Sequence, residues 1–80
     1  MGQKTSDVEN WIVTYVAKLL EVAPESLDVD EALVNLGLSS RQALMLTAGL
    51  EEFLDKPVDP ALVWEFPTIR QLARHLSEGE

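Results

Sequence analysis

Two adjacent serines stand where a helix is predicted to begin, in the stretch "LGLSSRQALM" that spans residues 36–45. A serine hydroxyl in such a place can attack a substrate, carry a covalent group or cap the helix. Attack requires a general base within reach and a third group that orients the base. His75 is the one histidine of the chain, and its spacing places it on the polar side of the last predicted helix. Catalysis by Ser39 or Ser40 is therefore disfavoured, and no catalytic residue is predicted.

Metal and acid–base chemistry find equally little support. The chain has no cysteine, which excludes disulfides and thiolate metal sites, and a single histidine cannot hold a metal unless several carboxylates converge on it. Paired carboxylates that act as acid and base need a cleft that separates their environments, and a domain of this size has little room for one. Glu51, Glu52 and Asp55 are therefore interpreted as a solvated acidic face. The sequence predicts neither a metal site nor an enzyme.

The composition bounds the kinds of partner. Eighty residues with 46% hydrophobic and 25% charged side chains make one folded domain, residues 1–80. The net charge of −8 disfavours nucleic acid, which is bound through clustered Lys and Arg, and favours a positively charged protein partner. No apolar run approaches the ~20 residues that cross a bilayer, and the N-terminus lacks a basic region followed by an apolar one. We therefore expect a cytoplasmic, monomeric domain with no membrane contact.

The helices that position the serines follow from apolar residues spaced by three and four and from the cap signals around them. Capping boxes, in which a Ser or Thr pairs with a Glu or Gln three residues later, are predicted at Ser6 with Glu9 and at Thr68 with Gln71. No segment alternates apolar and polar residues as a half-buried strand would. The predicted fold is an all-α small four-helix bundle with three longer helices and one short helix, at residues 7–22, 40–54, 60–65 and 68–78.

Two connections between these helices carry further expectations. The short helix is predicted to use Asp59 as its N-cap and Pro60 as its first helical residue. The segment from Ala23 to Leu38 contains Pro, Ser, two Asp and a Gly without sustained periodicity. It is predicted to be a long loop pinned by its leucines, and its length is itself a hint of function.

Two interpretations of the serines remain open on physical grounds. In the first, Ser39 caps the helix and Gly37 supplies a backbone angle that other residues resist. This interpretation explains one serine and does not need the second. In the other, Ser40 displays its hydroxyl at the helix N-terminus, where free N–H groups and the macrodipole stabilise an attached anion such as a phosphodiester.

The same residues carry a family resemblance. The motif "LGLSS" resembles the Leu-Gly-x-Asp-Ser signature of acyl carrier proteins, in which the serine carries 4′-phosphopantetheine. The stretch "ENWIVTYVAKLLEVAPESLDVDEAL" resembles the first half of polyketide-synthase carrier domains, and "LVWEFPTIRQLARHL" resembles their Phe-Asp-Tyr-Pro-Thr segment and last helix. Together these segments cover nearly the whole chain in the family's order. The resemblance implies a four-helix carrier fold with 4′-phosphopantetheine, derived from coenzyme A, on Ser40.

Two departures from the signature affect the expected recognition. Ser39 replaces the usual Asp, and counting from Leu36 and Gly37 assigns the attachment to Ser40 and the cap to Ser39. Arg41 stands where Leu often follows, and Met45 where many relatives have Glu. The surface that the resemblance implies for partner docking is formed by Leu38, Ser39, Arg41, Met45, Glu51, Glu52 and Trp64. Phe66 is an alternative to Trp64, but we expect Phe66 to belong to the core.

The resemblance also implies partners. They are a phosphopantetheinyl transferase and the acyl-loading, ketosynthase and other domains of a polyketide or fatty-acid-like synthase. The "GLSSR" variant is similar to carriers that receive a fatty acyl group from an acyl-adenylate ligase. Two alternatives remain: a peptidyl carrier of a non-ribosomal peptide synthetase, whose usual Gly-Gly-His/Asp-Ser pattern is not matched at Leu36, and an unmodified helical interaction bundle.

Overall fold

Five helices form the chain in the computed structural model, which describes residues 4–78. Within that range no strand is formed, and the one β-bridge joins Ala32 to Thr68. None of the helices there is long and apolar enough to cross a membrane. The all-α bundle predicted from the sequence is confirmed, with one short helix more than expected. The helices are α1 (Thr5–Leu20), α2 (Leu33–Leu36), α3 (Ser40–Leu54), α4 (Leu62–Glu65) and α5 (Ile69–Glu78).

Helix α1 begins two residues before its predicted start. Its N-cap is Lys4, whose side chain makes no cap hydrogen bond, so the capping box predicted at Ser6 and Glu9 is wrong. The first turn is instead tied to α5 by a 2.6 Å hydrogen bond between the hydroxyls of Thr5 and Ser77. The helix ends where Glu21 adopts the left-handed conformation with φ of 59°, two residues short of the predicted end.

The connection between α1 and α3 is more regular than the predicted loop. It contains a 3-10 turn, Pro24–Ser26, and the single helical turn α2. Helix α2 is fixed by Leu33, which is buried and whose N–H donates to the carbonyl of Pro67 over 2.8 Å. It ends at Gly37 with φ of 107°, which confirms the backbone angle expected there. A single turn has no apolar repeat, so periodicity could not reveal it.

Helix α3 has the predicted bounds, whereas α4 is shorter than predicted. Pro60 does not begin α4; the carboxylate of Asp59 accepts from the N–H of Ala61 over 2.9 Å and forms a turn that precedes the helix. The predicted capping box before α5 is confirmed, because Thr68 Oγ1 accepts from Gln71 N–H at 3.1 Å and Gln71 Oε1 accepts from Thr68 N–H at 3.4 Å. The predicted stop near Gly79 lies outside the described residues.

The core lies where α1 packs against α5 and α3 closes one side. Its side chains come from all five helices and from the connections between them. Completely or almost completely buried are Val8, Ile12 and Val16 of α1, Leu33 of α2, Leu46 and Leu50 of α3, Val63 of α4, and Ile69, Leu72, Ala73 and Leu76 of α5. Ion pairs add little to this core, since Arg70 contacts Asp30 and Glu9 at 3.2 and 3.9 Å with its side chain 48% exposed.

Gly49 allows two aromatic rings of α1 to lie against the middle of α3. A Cβ atom at this position would lie 2.8 Å from Cη2 of Trp11 and 3.3 Å from the ring of Tyr15. The indole cannot easily retreat, because it stacks on Tyr15 and Phe53 with ring centroids 4.9 and 5.2 Å apart. Within a helix, glycine is less favourable than alanine by about 1 kcal/mol. At position 49 it is nevertheless required, because a side chain there would overlap the packed indole.

We expect Gly49→Ala to lower the free energy of unfolding by about 1 kcal/mol. The gain of about 1 kcal/mol in helix propensity opposes an overpacking cost of about 1–3 kcal/mol. Urea unfolding followed by circular dichroism measures the difference. In a Trp11→Ala background most of the clash is gone, so the same change should become stabilising; the double-mutant cycle isolates this contact. A stabilising Gly49→Ala in the wild-type chain would contradict the expectation.

Candidate functional site

The side chain of Ser39 is fully engaged in starting α3. Its Oγ accepts from the N–H of Gln42 at 3.1 Å, and Gln42 Oε1 accepts in return from the N–H of Ser39 at 3.0 Å. This reciprocal pair is a capping box, which confirms Ser39 as the predicted N-cap; the pairing with Gln42 was not predicted. The side-chain amide nitrogen of Gln42, Nε2, also donates to the backbone carbonyl of Leu19 at 3.3 Å. The start of α3 is thereby fixed both locally and against the end of α1.

Ser40 is the first residue of α3, and it is exposed. Its hydroxyl makes no hydrogen bond to any other residue in the described part of the chain, residues 4–78. The first backbone N–H groups of a helix have no carbonyl acceptor one turn back. The Ser39 hydroxyl accepts from the N–H of Gln42, so the N–H groups of Ser40 and Arg41 remain available. The positive end of the helix dipole adds to these donors. The position therefore suits a hydroxyl that carries a phosphate ester.

Replacing Ser39, the N-cap of α3, should lower the stability of the domain and leave Ser40 exposed. We expect Ser39→Ala to lower the free energy of unfolding by about 0.5–2 kcal/mol, because the hydrogen bond from Gln42 N–H to the Ser39 hydroxyl at the start of α3 is lost. Ser40→Ala is the matched control, and since its hydroxyl has no partner its effect should stay within about 0.5 kcal/mol. Thermal or urea unfolding of the two variants tests the assignment. Equal losses, or a larger loss at Ser40, would contradict it.

The other residues of the predicted docking surface fall into two groups. Arg41, Met45 and Glu52 are exposed and form one stripe along α3 with Ala48, and Trp64 on α4 is 52% exposed. Leu38 is buried at 6% exposure, packed in the core. We therefore leave Leu38 out of the surface proposed below.

Glu51, on the same helix, already has a structural role. Its carboxylate accepts from the N–H of Val58 over 2.9 Å, which holds the chain that follows α3. Sequence reasoning also missed an exposed residue, Leu44, which is 56% exposed and lies one turn after Ser40. The available signal was its position off the apolar stripe of Ala43, Leu46 and Leu50.

The histidine considered as a possible base belongs to a different contact. His75 stacks on Phe66 with ring centroids 4.2 Å apart, and the two rings border a shallow pocket of about 250 Å³ that Gln71 and Arg74 also line. Phe66 is half-buried in this contact. No group of three or more His, Asp or Glu side chains that could hold a metal occurs within residues 4–78.

A helical bundle with an exposed serine at the N-terminus of α3 agrees with the carrier fold that the sequence resemblance implies. The family model described as "Phosphopantetheine attachment site" matches residues 10–76. The chain belongs to this family and is a carrier protein domain, as the resemblance implied. The cofactor of the family is 4′-phosphopantetheine, held covalently, and the exposed, unbonded Ser40 hydroxyl fits such an attachment.

Similar sequences occur within large synthases. The chain is 37% identical over 75 residues to a phenolphthiocerol/phthiocerol polyketide synthase of Mycobacterium tuberculosis, and the match covers 94% of this chain and 4% of that protein. It is 36% identical over 63 residues to 6-methylsalicylic acid synthase of Penicillium expansum, covering 79% and 4%. The chain thus spans a small part of the length of these relatives.

Solved structures of small carrier proteins match nearly the whole fold. A free-standing peptidyl carrier protein of Acinetobacter baumannii, from an uncharacterized secondary metabolic pathway, superposes with a TM-score of 0.91 at 34% identity, covering 95% of each chain. An acyl carrier protein of Anabaena sp. PCC 7120 with a variant phosphopantetheinylation-site sequence has a TM-score of 0.87 at 37% identity, covering 94% of this chain and 85% of that one. These similarities agree with the predicted four-helix carrier fold, extended by α2.

Proposed function

We propose that Ser40 carries the 4′-phosphopantetheine arm and that the domain holds acyl intermediates on it in polyketide-type biosynthesis. The observation that carries this proposal is the division of labour between the two serines. Ser39 is occupied by the capping box, while the Ser40 hydroxyl is exposed and has no hydrogen bond within residues 4–78. The polyketide synthases among the relatives support the acyl cargo.

The chemistry assigned to the domain's own residues is limited. Ser40 supplies the oxygen of the new phosphate ester, while the P–O–P linkage of coenzyme A breaks and its adenosine bisphosphate part leaves. The N–H groups at the start of α3 stabilise the negative charge of the attached phosphodiester. No residue of the site is proposed as a base, so a phosphopantetheinyl transferase must deprotonate Ser40. When attached, the arm supplies a thiol on which an acyl group is held as a thioester. We therefore propose a non-catalytic carrier that serves as the substrate of other enzymes.

The partners we propose are the transferase and the acyl-loading, ketosynthase and other domains of a synthase. Their docking surface is proposed to include Arg41, Met45 and Glu52 on α3 and Trp64 on α4, all exposed. The acidic chain, with net charge −8, favours basic partner surfaces. A fatty acyl-adenylate ligase is the loading enzyme suggested by the "GLSSR" sequence. The cytoplasm stays the proposed location.

The test is covalent modification. The purified chain is incubated with coenzyme A, Mg²⁺ and a broad-specificity phosphopantetheinyl transferase, and intact-mass spectrometry is expected to show the addition of one phosphopantetheine. Fragmentation of the product should place the added mass on Ser40. Absence of modification, or modification of Ser39, would refute the proposal. A reaction without transferase is the control.

A peptidyl carrier is the second candidate, because the peptidyl carrier protein of Acinetobacter baumannii superposes on this chain so closely. The two functions differ in the group that is loaded. We expect an acyl-adenylate ligase to acylate the modified chain faster than amino acid adenylation domains aminoacylate it. Preferential aminoacylation in a side-by-side assay would reverse the assignment. An unmodified interaction bundle would fail the transferase assay altogether.

A further inference from the structure

The side chain of Gln42 joins the start of α3 to the end of α1. Its Oε1 accepts from the N–H of Ser39 at 3.0 Å, and its Nε2 donates to the carbonyl of Leu19 at 3.3 Å. The hydroxyl of Tyr15 also bonds to α3, but at the carbonyl of Met45, farther along the helix. Gln42 is partly buried, and both polar atoms of its amide are used within the domain.

Opposite ends of two helices meet at this amide. Leu19 belongs to the last turn of α1, where carbonyl groups have no N–H donor one turn ahead, and Ser39 precedes the first turn of α3, where N–H groups have no acceptor one turn back. A neutral amide can donate to the first helix end and accept from the second at the same time. A carboxylate could only accept, and an ammonium group could only donate. Glutamine at position 42 therefore serves both helix ends.

Ser40 lies in the turn of α3 that this amide fixes. It stands between Ser39, whose N–H is bonded to Oε1 of Gln42, and Gln42 itself. The end turns of helices fray, and a frayed first turn would present the Ser40 hydroxyl in several orientations. An enzyme that modifies one hydroxyl binds the fraction of chains in the correct orientation, so its apparent affinity falls as this fraction falls. A bond that holds the first turn of α3 against α1 therefore favours modification.

We propose that Gln42 is a positioning residue for the modification of Ser40, because its bond to Leu19 holds the first turn of α3 in the orientation that the transferase binds. This inference rests on the function proposed above. In this role Gln42 acts through the backbone of α3 and does not contact the reacting atoms. Loss of the bond should raise the KM of the transferase for the chain and leave kcat unchanged, since the bound orientation of Ser40 is the same.

Two substitutions remove the bond to Leu19 in different ways. Gln42→Glu keeps an oxygen for the N–H of Ser39, since glutamate is a usual partner in a capping box, but it has no donor for the carbonyl of Leu19. Gln42→Met removes both hydrogen bonds and adds no charge. Because only Gln42→Glu adds a negative charge near Ser40, an effect that the two variants share cannot come from charge.

The kinetic test varies the concentration of the chain at saturating coenzyme A and Mg²⁺, with intact mass as the readout and circular dichroism to verify that each variant is folded. We expect both Gln42 variants to raise KM about 2- to 5-fold, as for the loss of one modest net hydrogen bond, with kcat unchanged. Thr5→Val is the matched control. It removes the hydrogen bond between Thr5 and Ser77, which joins α1 to α5 at the other end of α1, and should change neither constant.

The free chain gives a second readout that does not need the transferase. ¹⁵N relaxation is expected to show larger motion of the backbone N–H groups at positions 40–42 in both Gln42 variants than in the wild-type chain. Leu46 and Leu50, buried in the middle of α3, should keep the order parameters of about 0.85 that are typical of a rigid backbone. A higher KM without this change in relaxation would indicate direct contact between Gln42 and the transferase, and would overturn the positioning role.

Normal modification of the wild-type chain with an unchanged KM in the Gln42 variants would overturn this inference and leave the carrier function intact. A fall in kcat in place of the rise in KM, or an equal rise in Thr5→Val, would also overturn it. Failure of the wild-type chain to accept phosphopantetheine would instead refute the carrier function itself, together with the inference that rests on it.

Discussion

Ser40→Ala is expected to abolish phosphopantetheinylation completely while the domain remains folded. The substitution removes the only oxygen through which the arm can be esterified at this position, and no neighbouring group replaces it, because the Ser39 hydroxyl is held in the capping box. Intact-mass spectrometry after incubation with coenzyme A and transferase should show the unmodified mass. Since the Ser40 hydroxyl has no hydrogen bond within residues 4–78, the unfolding transition of the variant should match that of the wild-type chain.

Ser39→Ala is the matched control for this experiment. It should accept the arm in full, although it is less stable by about 0.5–2 kcal/mol, provided that the assay is run well below its unfolding temperature. The double substitution should be both unmodified and destabilised. Modification of Ser40→Ala, or loss of modification in folded Ser39→Ala, would show that the two roles are assigned to the wrong serines.

Leu46→Ala is expected to lower the free energy of unfolding by about 2–5 kcal/mol. Leu46 is completely buried in the middle of α3, where it meets the core formed by α1 and α5. Its truncation removes apolar contacts and leaves a cavity that the packed neighbours can fill only in part. At about 0.05–0.15 kcal/mol per residue, a domain of this length has a total stability of about 4–12 kcal/mol. The variant therefore loses a large share of it, as chemical denaturation will measure.

Leu44→Ala provides a control on the same helix. Leu44 is 56% exposed and only two residues away, so the substitution has the same chemistry without a cavity. We expect a change within about 0.5 kcal/mol. Similar losses for the two leucines would contradict the assigned orientation of α3. Because α3 also carries Ser40, the folded fraction of Leu46→Ala should determine how fast the transferase modifies it.

The bounds of α3 and the cap of α5 could be predicted from sequence because local interactions determine them. In a capping box the side-chain oxygen of a serine or threonine accepts from the backbone N–H of a glutamine three residues later, and the glutamine side chain accepts from the backbone N–H of the serine or threonine. Both hydrogen bonds form within a single turn, without help from the rest of the chain. This is what Ser39 with Gln42 and Thr68 with Gln71 do. The apolar stripe of α3 was equally readable, and Ala43, Leu46, Thr47 and Leu50 are all buried.

The starts of α1 and α4 and the existence of α2 could not be predicted in the same way. Ser6 and Glu9 have the residue types of a capping box, yet the first turn of α1 is set by the contact between Thr5 and Ser77, 72 residues apart in the chain. Helix α2 depends on the bond from Leu33 to Pro67, which only the folded chain brings together. Contacts between distant segments override weak local signals in the one-turn helices α2 and α4 and in the first turn of α1.

The sequence by itself determined the class of this protein and the residue on which its function is proposed to rest. Both depend on a local motif, since Ser40 follows a capping serine and the surrounding segments match the carrier family in order. Only the tertiary structure decided which predicted surface residues are accessible and what Gly49 is for. Leu38 is buried and the Glu51 carboxylate is bonded to the N–H of Val58, while the missing side chain of Gly49 leaves room for the rings of Trp11 and Tyr15. Those outcomes depend on how α1 lies against α3, and helix packing is a property of both surfaces that neither segment encodes alone.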